Sequence, residues 1–399
     1  MIKHSESRKL IFIVGSLIAI IFMLNCCQSF YKKNYQSEID SISVKWVPDG
    51  REGICTVTAK PGKQGTIILI GETTNTKAKQ EIIKTLNNQD IALIDSILIL
   101  PDTIRNEKFM GLVTLSVINI RKQPDHGSEL VSQAILGTPV LILKKRNSWL
   151  LIQTPDRYIG WTEKSSVRLA TREELFAWRQ ANKVLFIENS GWIYDAPDKH
   201  GVVGDLVAGS ILEKTGESKG YAKVVLPDGR EGFVENKKLM DFHSWKVQVP
   251  GNEENIIKIA STFLGLPYLW GGTSSKAVDC SGFVQSVYFM NGLILARDAS
   301  LQALHGLPVD VSDGYGRLKS GDLLFFGSKE NSRLHVTHVA IYKGNSEYIN
   351  SSGRVMINSL DSTRTNYNSY RKNSLLIARR IISAENDSGI VPVNKHSWY

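Results

Sequence analysis

Residues 267–288 read PYLWGGTSSKAVDCSGFVQSVY, and this stretch decides the fold of the last part of the chain. It places Cys280 directly after Asp279, at the predicted first turn of a helix. Apolar residues follow the cysteine at the spacing of one helix face: Phe283, Val284, Val287 and Tyr288. Cys280 is therefore predicted to face the body of its domain. The helix dipole predicts a thiol pKa below the ordinary value, although the position alone fits an inert core thiol equally well.

A second stretch, HVAIYKGNSEYIN at 338–350, predicts a β-hairpin. A three-residue turn centred on Gly344 pairs His338 with Asn350 on one sheet face, with Cβ atoms about 5 Å apart. The amide then holds one ring nitrogen, and the other nitrogen is free to take a thiol proton. A slip of one residue would change the face, and a core histidine across from a surface asparagine is the structural alternative. Three further histidines are interpreted as structural or surface residues: His243, His305 and His335.

The surroundings of these two stretches predict an α+β domain over residues 246–383. Helical spacing in NEENIIKIASTFLG (252–265) indicates a helix first. The runs at 321–327 and 337–353 are typical of strands, so an antiparallel sheet is expected after that helix. Residues 384–399 are interpreted as a tail.

A weak internal repeat precedes this domain. Residues 136–163 align without gaps on residues 208–235. Each copy contains short alternating strands separated by Pro-Asp or Gly turns. The ending YIGWTE of the first copy resembles the last strands of bacterial SH3-like domains. We therefore expect two SH3-like β-barrels, at 111–175 and 183–242.

The region before the barrels, residues 28–110, is predicted to be a small α/β unit. ICTVTAK and TIILIGE have the composition of strands, and NTKAKQEIIKTLNNQ has helical spacing. The apolar run IALIDSILIL follows and is expected to complete the unit as a strand. No chemistry is indicated in this unit.

The leader, residues 1–27, is interpreted as a signal peptide. Basic residues are followed by an apolar run from Leu10 to Leu24, which is shorter than the roughly 20 residues of a membrane-spanning helix. LNCC at 24–27 resembles a lipobox, so lipidation of Cys27 is an alternative, and an uncleaved anchor is another. Each alternative predicts an exported protein, either periplasmic or held at a membrane as a lipoprotein.

Composition excludes several other classes. The chain has four cysteines, and only Cys55 and Cys280 lie beyond the leader, which excludes a disulfide framework. The absence of a CxxC pair or a His/Cys cluster from the sequence predicts no metal and no cofactor. The formal net charge is +9, but no basic block with interleaved aromatic residues indicates a nucleic-acid partner.

Three blocks of the last domain resemble the NlpC/p60 family of papain-like bacterial cell-wall peptidases. They are PYLWGGTSSKAVDCSGFVQSVY, LKSGDLLFFG and HVTHVAIYKGNSEYINSSG, and the resemblance covers about residues 250–382. It implies that Cys280 is the nucleophile, His338 the general base and Asn350 the third, orienting residue. Many members have histidine at the third place, but asparagine has that role in papain-like enzymes. The backbone N–H of Cys280 is a candidate for an oxyanion hole.

The whole layout resembles the γ-D-glutamyl-L-diamino acid endopeptidases, the dipeptidyl-peptidase VI type of this family. These enzymes cut muropeptides between D-glutamate and the diamino acid, and they prefer a free N-terminal L-alanine. In that subfamily an acidic residue of the first SH3-like domain reads the substrate amine, which implies Glu129 here, in SELVSQAILGTP. The substrate-binding residues implied by the resemblance are Glu129, Tyr158, Tyr268, Trp270, Asp279, Ser281, Asp298 and Ser300.

Two other functions fit the sequence. One is an N-acetylmuramoyl-L-alanine amidase, because a Cys/His pair on this fold also suits that bond. The other is a non-catalytic wall-binding protein, for which the SH3-like domains alone would suffice. Cysteine, histidine and asparagine together weigh against the second alternative.

Overall fold

The structure is a computed structural model that describes residues 35–87, 92–103, 107–247, 252–384 and 387–399. The predicted leader, including Cys27, lies outside the described residues. The chain divides into two compact units, Met1–Asp102 and Thr103–Tyr399. Within the described ranges, no helix is both long and apolar enough to cross a membrane.

The first unit is a small α/β structure. Its elements are a helix at 35–46 (α1), β1 (Cys55–Pro61), β2 (Ile67–Thr73), α2 (Thr76–Asn87) and β3 (Leu93–Ile99). β1 and β2 are antiparallel, whereas β2 and β3 are parallel because α2 crosses between them. Ile82 and Leu86 on one face of α2 are buried in one cluster with Leu69 of β2. The apolar spacing that predicted this helix therefore also forms the core.

The second unit begins with two seven-stranded sheets. The first consists of β4 (Met110–Val113), β5 (Val117–Arg121), β6 (Leu130–Ile135), β7 (Pro139–Arg146), β8 (Trp149–Gln153), β9 (Ile159–Glu163) and β10 (Val167–Ala170). Helix α3 (Arg172–Gln180) connects it to the second sheet. The second consists of β11 (Lys183–Phe186), β12 (Ser190–Tyr194), β13 (Val202–Val207), β14 (Ile211–Ser218), β15 (Tyr221–Val225), β16 (Glu231–Glu235) and β17 (Leu239–Asp241). Helix α4 (Phe242–Val247) follows.

The two sheets have the same topology. The strand order is β10-β4-β7-β8-β9-β5-β6 in the first and β17-β11-β14-β15-β16-β12-β13 in the second. β7 begins at Pro139 and β14 at Ile211, which are equivalent positions in the alignment of the two sequence copies. The first sheet already includes Met110, a residue that the sequence assigned to the preceding unit. The boundary between the two units instead falls between Asp102 and Thr103.

The last domain combines helices with an antiparallel sheet. Its helices are α5 (Glu253–Thr262), α6 (Cys280–Met290), α7 (Ala299–Gln302) and α8 (Ser369–Ser374). Its strands are β18 (Thr273–Ser274), β19 (Ala277–Val278), β20 (Leu293–Leu295), β21 (Leu307–Val309), β22 (Leu323–Glu330), β23 (Arg333–Gly344), β24 (Glu347–Ser352), β25 (Arg354–Ser359), β26 (Leu375–Arg380) and β27 (Ile390–Pro392). The main sheet has the order β21-β26-β22-β23-β24-β25. This arrangement confirms the predicted α+β fold class.

Alternate residues of β23 divide this domain into two cores. Val339 and Ile341 pack with α5 and α6 in one cluster, whereas Ala340 and Tyr342 face a second cluster on the other side of the sheet. This alternation follows from the two-residue period of a strand. His338 has the same parity as the second set, and its ring lies 5.8 Å from that of Phe326 in the second cluster.

The last residues are part of the fold, not a tail. β27 pairs antiparallel with β20, and Tyr399 is 5% exposed. The main-chain oxygen of Tyr399 accepts a hydrogen bond of 2.8 Å from Lys246 Nζ. The prediction of a tail at 384–399 is wrong for residues 387–399. The partners of this segment, β20 and Lys246, are distant in sequence, so no local periodic pattern indicated that the segment is part of the fold.

Candidate active site

Cys280 begins helix α6 because Asp279 caps the helix. Oδ1 of Asp279 accepts a hydrogen bond of 2.7 Å from the backbone N–H of Gly282, which satisfies one donor of the first turn. Cys280 is 8% exposed and lies in one apolar cluster with Phe283 and Val339. The predicted helix start and the inward direction of the cysteine are therefore confirmed.

The surroundings of the Cys280 thiol favour its neutral form. Burial, and after it the negative charge of Asp279, raise the pKa of the thiol to about 11. The expectation of a lowered thiol pKa is wrong, because the helix dipole does not compensate for lost hydration beside a carboxylate. A hydrogen bond from the backbone of Val339 acts in the opposite direction. This bond places the sulfur beside the strand position that directly follows His338.

His338 and Asn350 form a fixed pair. His338 Nε2 lies 3.0 Å from Asn350 Oδ1. Asn350 Nδ2 donates to Asn358 Oδ1 at 2.9 Å and to the Met356 carbonyl at 3.3 Å, so the amide cannot turn over without losing both bonds. Asn350 Oδ1 is consequently the acceptor, and His338 Nε2 carries the proton. Nδ1 is left as the basic nitrogen of the neutral ring.

The hairpin register differs from the predicted one by two residues. The turn was expected to centre on Gly344, but the chain turns at Asn345 and Ser346. Both residues have positive φ, 53° and 62°, as in a type I′ turn. Ile341 therefore pairs with Ile349. A shift of two residues keeps every side chain on its own face, which is why His338 and Asn350 still meet.

The imidazole of His338 is also held neutral. Burial is the largest cause, and the positive charge of Arg371 adds to it, so that the pKa of His338 falls to about 3. The hydrogen bond to Asn350 acts in the opposite direction but is weaker. The pair at rest is therefore a neutral thiol and a neutral imidazole, and not a thiolate–imidazolium ion pair.

Asp279 and Ser281 surround a buried arginine. Arg297, which is 1% exposed, donates from Nη2 to Asp279 Oδ2 at 2.6 Å and from Nη1 to Ser281 Oγ at 3.0 Å. Its Nε donates to Ser132 Oγ at 3.1 Å. Ser132 lies on β6 of the first seven-stranded sheet, which corresponds to the first predicted SH3-like barrel and is called the first barrel below. Asp279 and Ser281 were assigned to substrate binding, yet their side-chain oxygens point inward. Sequence reasoning missed Arg297, although it is the first residue of the RDAS block.

The first barrel meets the last domain at Glu129. Oε1 of Glu129 accepts a hydrogen bond of 3.1 Å from Trp270 Nε1, and Oε2 lies 3.4 Å from Lys122 Nζ. Trp270 is 62% exposed. The carboxylate therefore stays accessible at the rim of the segment that leads to Cys280.

The remaining predicted residues lie around this centre. Tyr268 lies near Cys280, and burial is the largest cause that raises the pKa of Tyr268 to about 12. Tyr158 is buried and interacts electrostatically with Arg297. Asp298 precedes α7 at its N-cap position and also faces Arg297. Ser300 is half-buried in α7.

A second arginine, Arg371, borders the centre on the side of His338. Its guanidinium carbon lies 5.6 Å from the ring centre of Phe326 and 5.4 Å from that of Tyr370. The ring of Phe326 in turn lies 5.8 Å from that of His338. Arg371 belongs to α8, outside the three sequence blocks that predicted the site, so no local pattern indicated it.

The described ranges contain no group of three or more His, Cys, Asp or Glu side chains that could hold a metal ion.

Comparisons with known proteins match both parts of the second unit. Residues 265–380 match the NlpC/P60 family, and residues 120–167 match the bacterial dipeptidyl-peptidase Sh3 domain. The first match includes Cys280, His338 and Asn350, and the second includes Glu129 and Tyr158.

Several relatives are similar over more than half of the chain. Dipeptidyl-peptidase 6 of Lysinibacillus sphaericus is 29% identical over 269 residues, which cover 64% of this chain and 94% of that protein. The gamma-D-glutamyl-L-lysine dipeptidyl-peptidase of Bacillus subtilis is 30% identical over 228 residues, which cover 55% of this chain and 71% of that protein. A crystal structure of an NlpC/P60 family protein from Bacillus cereus covers 68% of this chain and 99% of its own, with a TM-score of 0.59 and 23% identity. That likeness extends to the fold.

Proposed function

This chain belongs to the NlpC/P60 family, and we propose that it is a cysteine endopeptidase that cleaves the γ-D-glutamyl to L-diamino acid bond of peptidoglycan stem peptides. The observation that carries the proposal is the fixed His338–Asn350 pair on the strand whose next residue, Val339, hydrogen-bonds the sulfur of Cys280 through its backbone. The names of the relatives support the choice of bond, because two of them are γ-D-glutamyl-L-lysine dipeptidyl-peptidases.

The proposed attack transfers one proton within the site. As the sulfur of Cys280 bonds to the γ-carbonyl carbon, its proton moves to His338 Nδ1, because Nε2 is already occupied by Asn350. The neutral resting pair means that this transfer accompanies the attack. The N–H of Cys280 lies in the first turn, where the helix offers no carbonyl acceptor, and is available to the carbonyl oxygen.

The second half returns the enzyme to its resting state. The imidazolium of His338 gives its Nδ1 proton to the nitrogen of the diamino acid, the C–N bond breaks and a thioester remains on Cys280. Water then attacks the thioester, again with Nδ1 as the base, and the thiol recovers its proton. Asn350 holds the ring throughout, because its own amide is fixed by Asn358 and Met356.

We further propose that the substrate has a free N-terminal L-alanine. A free ammonium group is a suitable partner for the accessible carboxylate of Glu129, which the contact with Trp270 directs toward the last domain. A blocked amine would lose this pairing and meet the indole instead.

Export is part of the same proposal. The leader of residues 1–27 supports passage out of the cytoplasm, with either a periplasmic product or a lipoprotein attached through Cys27. The mass of the mature N terminus distinguishes the two, and an intact Met1 on protein from the cytoplasm would contradict both.

Cys280→Ala should abolish cleavage of L-Ala-γ-D-Glu-L-Lys and of its meso-diaminopimelate analogue. We expect a loss of about 1,000-fold or more in kcat, because the nucleophile is removed. Mass spectrometry should identify L-Ala-D-Glu as the product of the wild type. Release of a whole stem peptide from a muramoyl substrate would indicate the amidase instead.

The matched control is Cys55→Ala. Cys55 is the other cysteine among the described residues, and its sulfur contacts Ser43 Oγ at 3.3 Å in the first unit. This variant should keep full activity. Equal rates for Cys280→Ala and Cys55→Ala would contradict the proposed mechanism.

A further inference from the structure

Arg371 is held in place by aromatic rings beside the catalytic pair. Its guanidinium packs on Phe326 and Tyr370, at 5.6 Å and 5.4 Å from the ring centres. Phe326 also contacts His338, with ring centres 5.8 Å apart. Stacking of this kind restricts a guanidinium to one plane while its N–H groups stay available.

The charge of Arg371 has no counter-charge within the described residues. No carboxylate there forms an ion pair with it, and no side-chain hydrogen bond leaves its guanidinium. The other two arginines of this domain with buried partners differ: Arg297 is paired with Asp279 and Arg380 with Asp322, at 2.6 Å and 2.7 Å. A half-buried guanidinium without a partner is unfavourable on its own, and an anionic ligand would relieve that cost.

A second observation points to the same place. Tyr348 is fully buried, and its hydroxyl oxygen has no hydrogen-bond partner. Its ring lies 5.6 Å from that of Phe326, and it interacts electrostatically with Arg371. A buried hydroxyl without a partner is rare in folded proteins. The guanidinium of Arg371 and the ring of Tyr348 both pack against Phe326. Neither the guanidinium nor the Tyr348 hydroxyl has a polar partner among the described residues.

The position of Arg371 fixes which side of the substrate it can reach. His338 must give its proton to the departing nitrogen, so this side of the centre is the side of the leaving residue. Glu129 and Trp270 are proposed to contact the N-terminal part of the substrate. They lie where the first barrel meets the last domain. Among the described residues, Arg371 forms no side-chain hydrogen bond or ion pair with Glu129 or Trp270; its charge acts on Cys280 and Tyr268.

We propose that Arg371 binds a carboxylate of the leaving diamino acid residue. The inference rests on the proposed function and adds a specificity determinant to it. The carboxylate has two chemical sources: the α-carboxylate of a diamino acid at the peptide C terminus, or the second carboxylate that diaminopimelate has and lysine lacks. A guanidinium pairs with either in two parallel hydrogen bonds.

The test compares four peptides of the form L-Ala-γ-D-Glu-X. X is L-lysine, L-lysine amide, meso-diaminopimelate, or meso-diaminopimelate with an α-amide. Arg371→Gln should lower kcat/KM by about 10- to 100-fold on peptides with the recognised carboxylate. On the lysine amide, which has no carboxylate on the leaving side, it should change kcat/KM by less than about twofold. Loss on both α-acids identifies the α-carboxylate, and loss on both diaminopimelate peptides identifies the second one.

Controls separate recognition from other roles of Arg371. Arg371→Lys should recover part of the lost rate, and Lys372→Gln, the exposed neighbour on the same helix, should lose none. An equal loss on all four peptides, with a displaced pH profile, would mean that Arg371 acts on Cys280 or His338 and would overturn the proposal. An unchanged rate on all four would overturn it as well.

The outcome for the wild type distinguishes the two proposals. If it cleaves the peptides and Arg371→Gln does not discriminate among them, the proposed function stands and this inference is wrong. If it cleaves none of the four, the proposed function fails and the inference fails with it.

Discussion

At the scale of single residues, His338 shows how the fold sets chemistry that the residue type leaves open. Histidine ordinarily titrates near neutral pH. Here it is 5% exposed, and Arg371 adds a positive charge nearby, so its pKa falls to about 3. The hydrogen bond to Asn350 selects the tautomer with the proton on Nε2. The bond to Asn350 thus leaves Nδ1 as the acceptor nitrogen, whereas burial and Arg371 make a charged ring unfavourable in the resting protein.

The buried neutral ring makes stability depend on pH. The folded-state pKa of His338 lies below its ordinary value of 6.5, so the unfolded chain binds the proton first as the solution is acidified. Stability should therefore fall as the pH drops from 6.5 toward 3. Relative to His338→Gln, the wild type should lose about 2 kcal/mol in free energy of unfolding between pH 7 and pH 5. Urea unfolding at both pH values measures this difference.

His335→Gln is the matched control for this prediction. His335 is on the same strand but exposed, so its replacement should leave the pH dependence of the wild type intact. Parallel stability curves for the wild type and His338→Gln would show that burial of the imidazole has no such effect.

At the scale of elements, the start of helix α6 depends on two constraints. Asp279 caps the helix through Gly282. A Cβ on Gly282 would lie 2.0 Å from the carbonyl oxygen of Gly272, so only glycine allows the preceding turn to approach the helix this closely. Arg297 closes the arrangement by binding the same carboxylate from below. Together these contacts fix the position of Cys280.

Removal of Arg297 should therefore destabilise the second unit strongly. Arg297→Met leaves Asp279 buried without its partner, and we expect a loss of about 3–5 kcal/mol in free energy of unfolding. Adding Asp279→Asn should restore part of this loss, because the uncompensated charge disappears. Urea unfolding followed by tryptophan fluorescence measures both changes.

An exposed ion pair of the same domain provides the comparison. Arg317 lies 3.7 Å from Asp310, with 69% and 49% of the two side chains exposed. Arg317→Met should change the free energy of unfolding by less than about 1 kcal/mol. If Arg297→Met changed the free energy of unfolding equally little, the buried pair would contribute no more to stability than a surface pair.

At the scale of the second unit, hydrogen bonds attach the first barrel to the last domain. Gln133 of β6 accepts from Thr273 N and Ser274 Oγ at 3.1 Å and 3.2 Å, which attaches the first barrel to the turn before α6. The two barrels are joined by the hydrogen bond of 2.9 Å from Ile211 N to the Leu136 carbonyl. Glu129 is thereby held at the edge of the last domain, a relation that neither domain contains alone.

A substitution in the first barrel alone should therefore remove the preference for a substrate with a free N terminus. Glu129→Gln keeps an acceptor for Trp270 but removes the charge, so kcat/KM for a peptide with a free N terminus should fall about 10- to 100-fold. The rate for an N-acetylated peptide should not change. Steady-state kinetics on the two peptides measures the ratio.

Glu163→Gln is the control for this prediction, since Glu163 is an exposed glutamate of the same barrel with Oε1 3.6 Å from His126 Nδ1. It should leave both rates unchanged. Retention of the free-amine preference in Glu129→Gln would place amine recognition elsewhere.

The amino-acid sequence determined the local features of this protein. The helix start at Cys280 follows from a capping aspartate and apolar spacing, and the twin barrels follow from the gap-free internal repeat. The face shared by His338 and Asn350 was predicted correctly despite a wrong register, because a two-residue shift preserves strand parity.

Only the tertiary structure decided the electrostatics and the distant contacts. Burial beside Asp279 raised the thiol pKa that the helix position alone predicted to fall. Arg297, Arg371 and the strand at Ile390–Pro392 act through residues remote in sequence, which leave no periodic pattern. The physical reason is that propensity and capping act within one or two turns of chain, whereas desolvation and charge depend on everything that folding packs around a group.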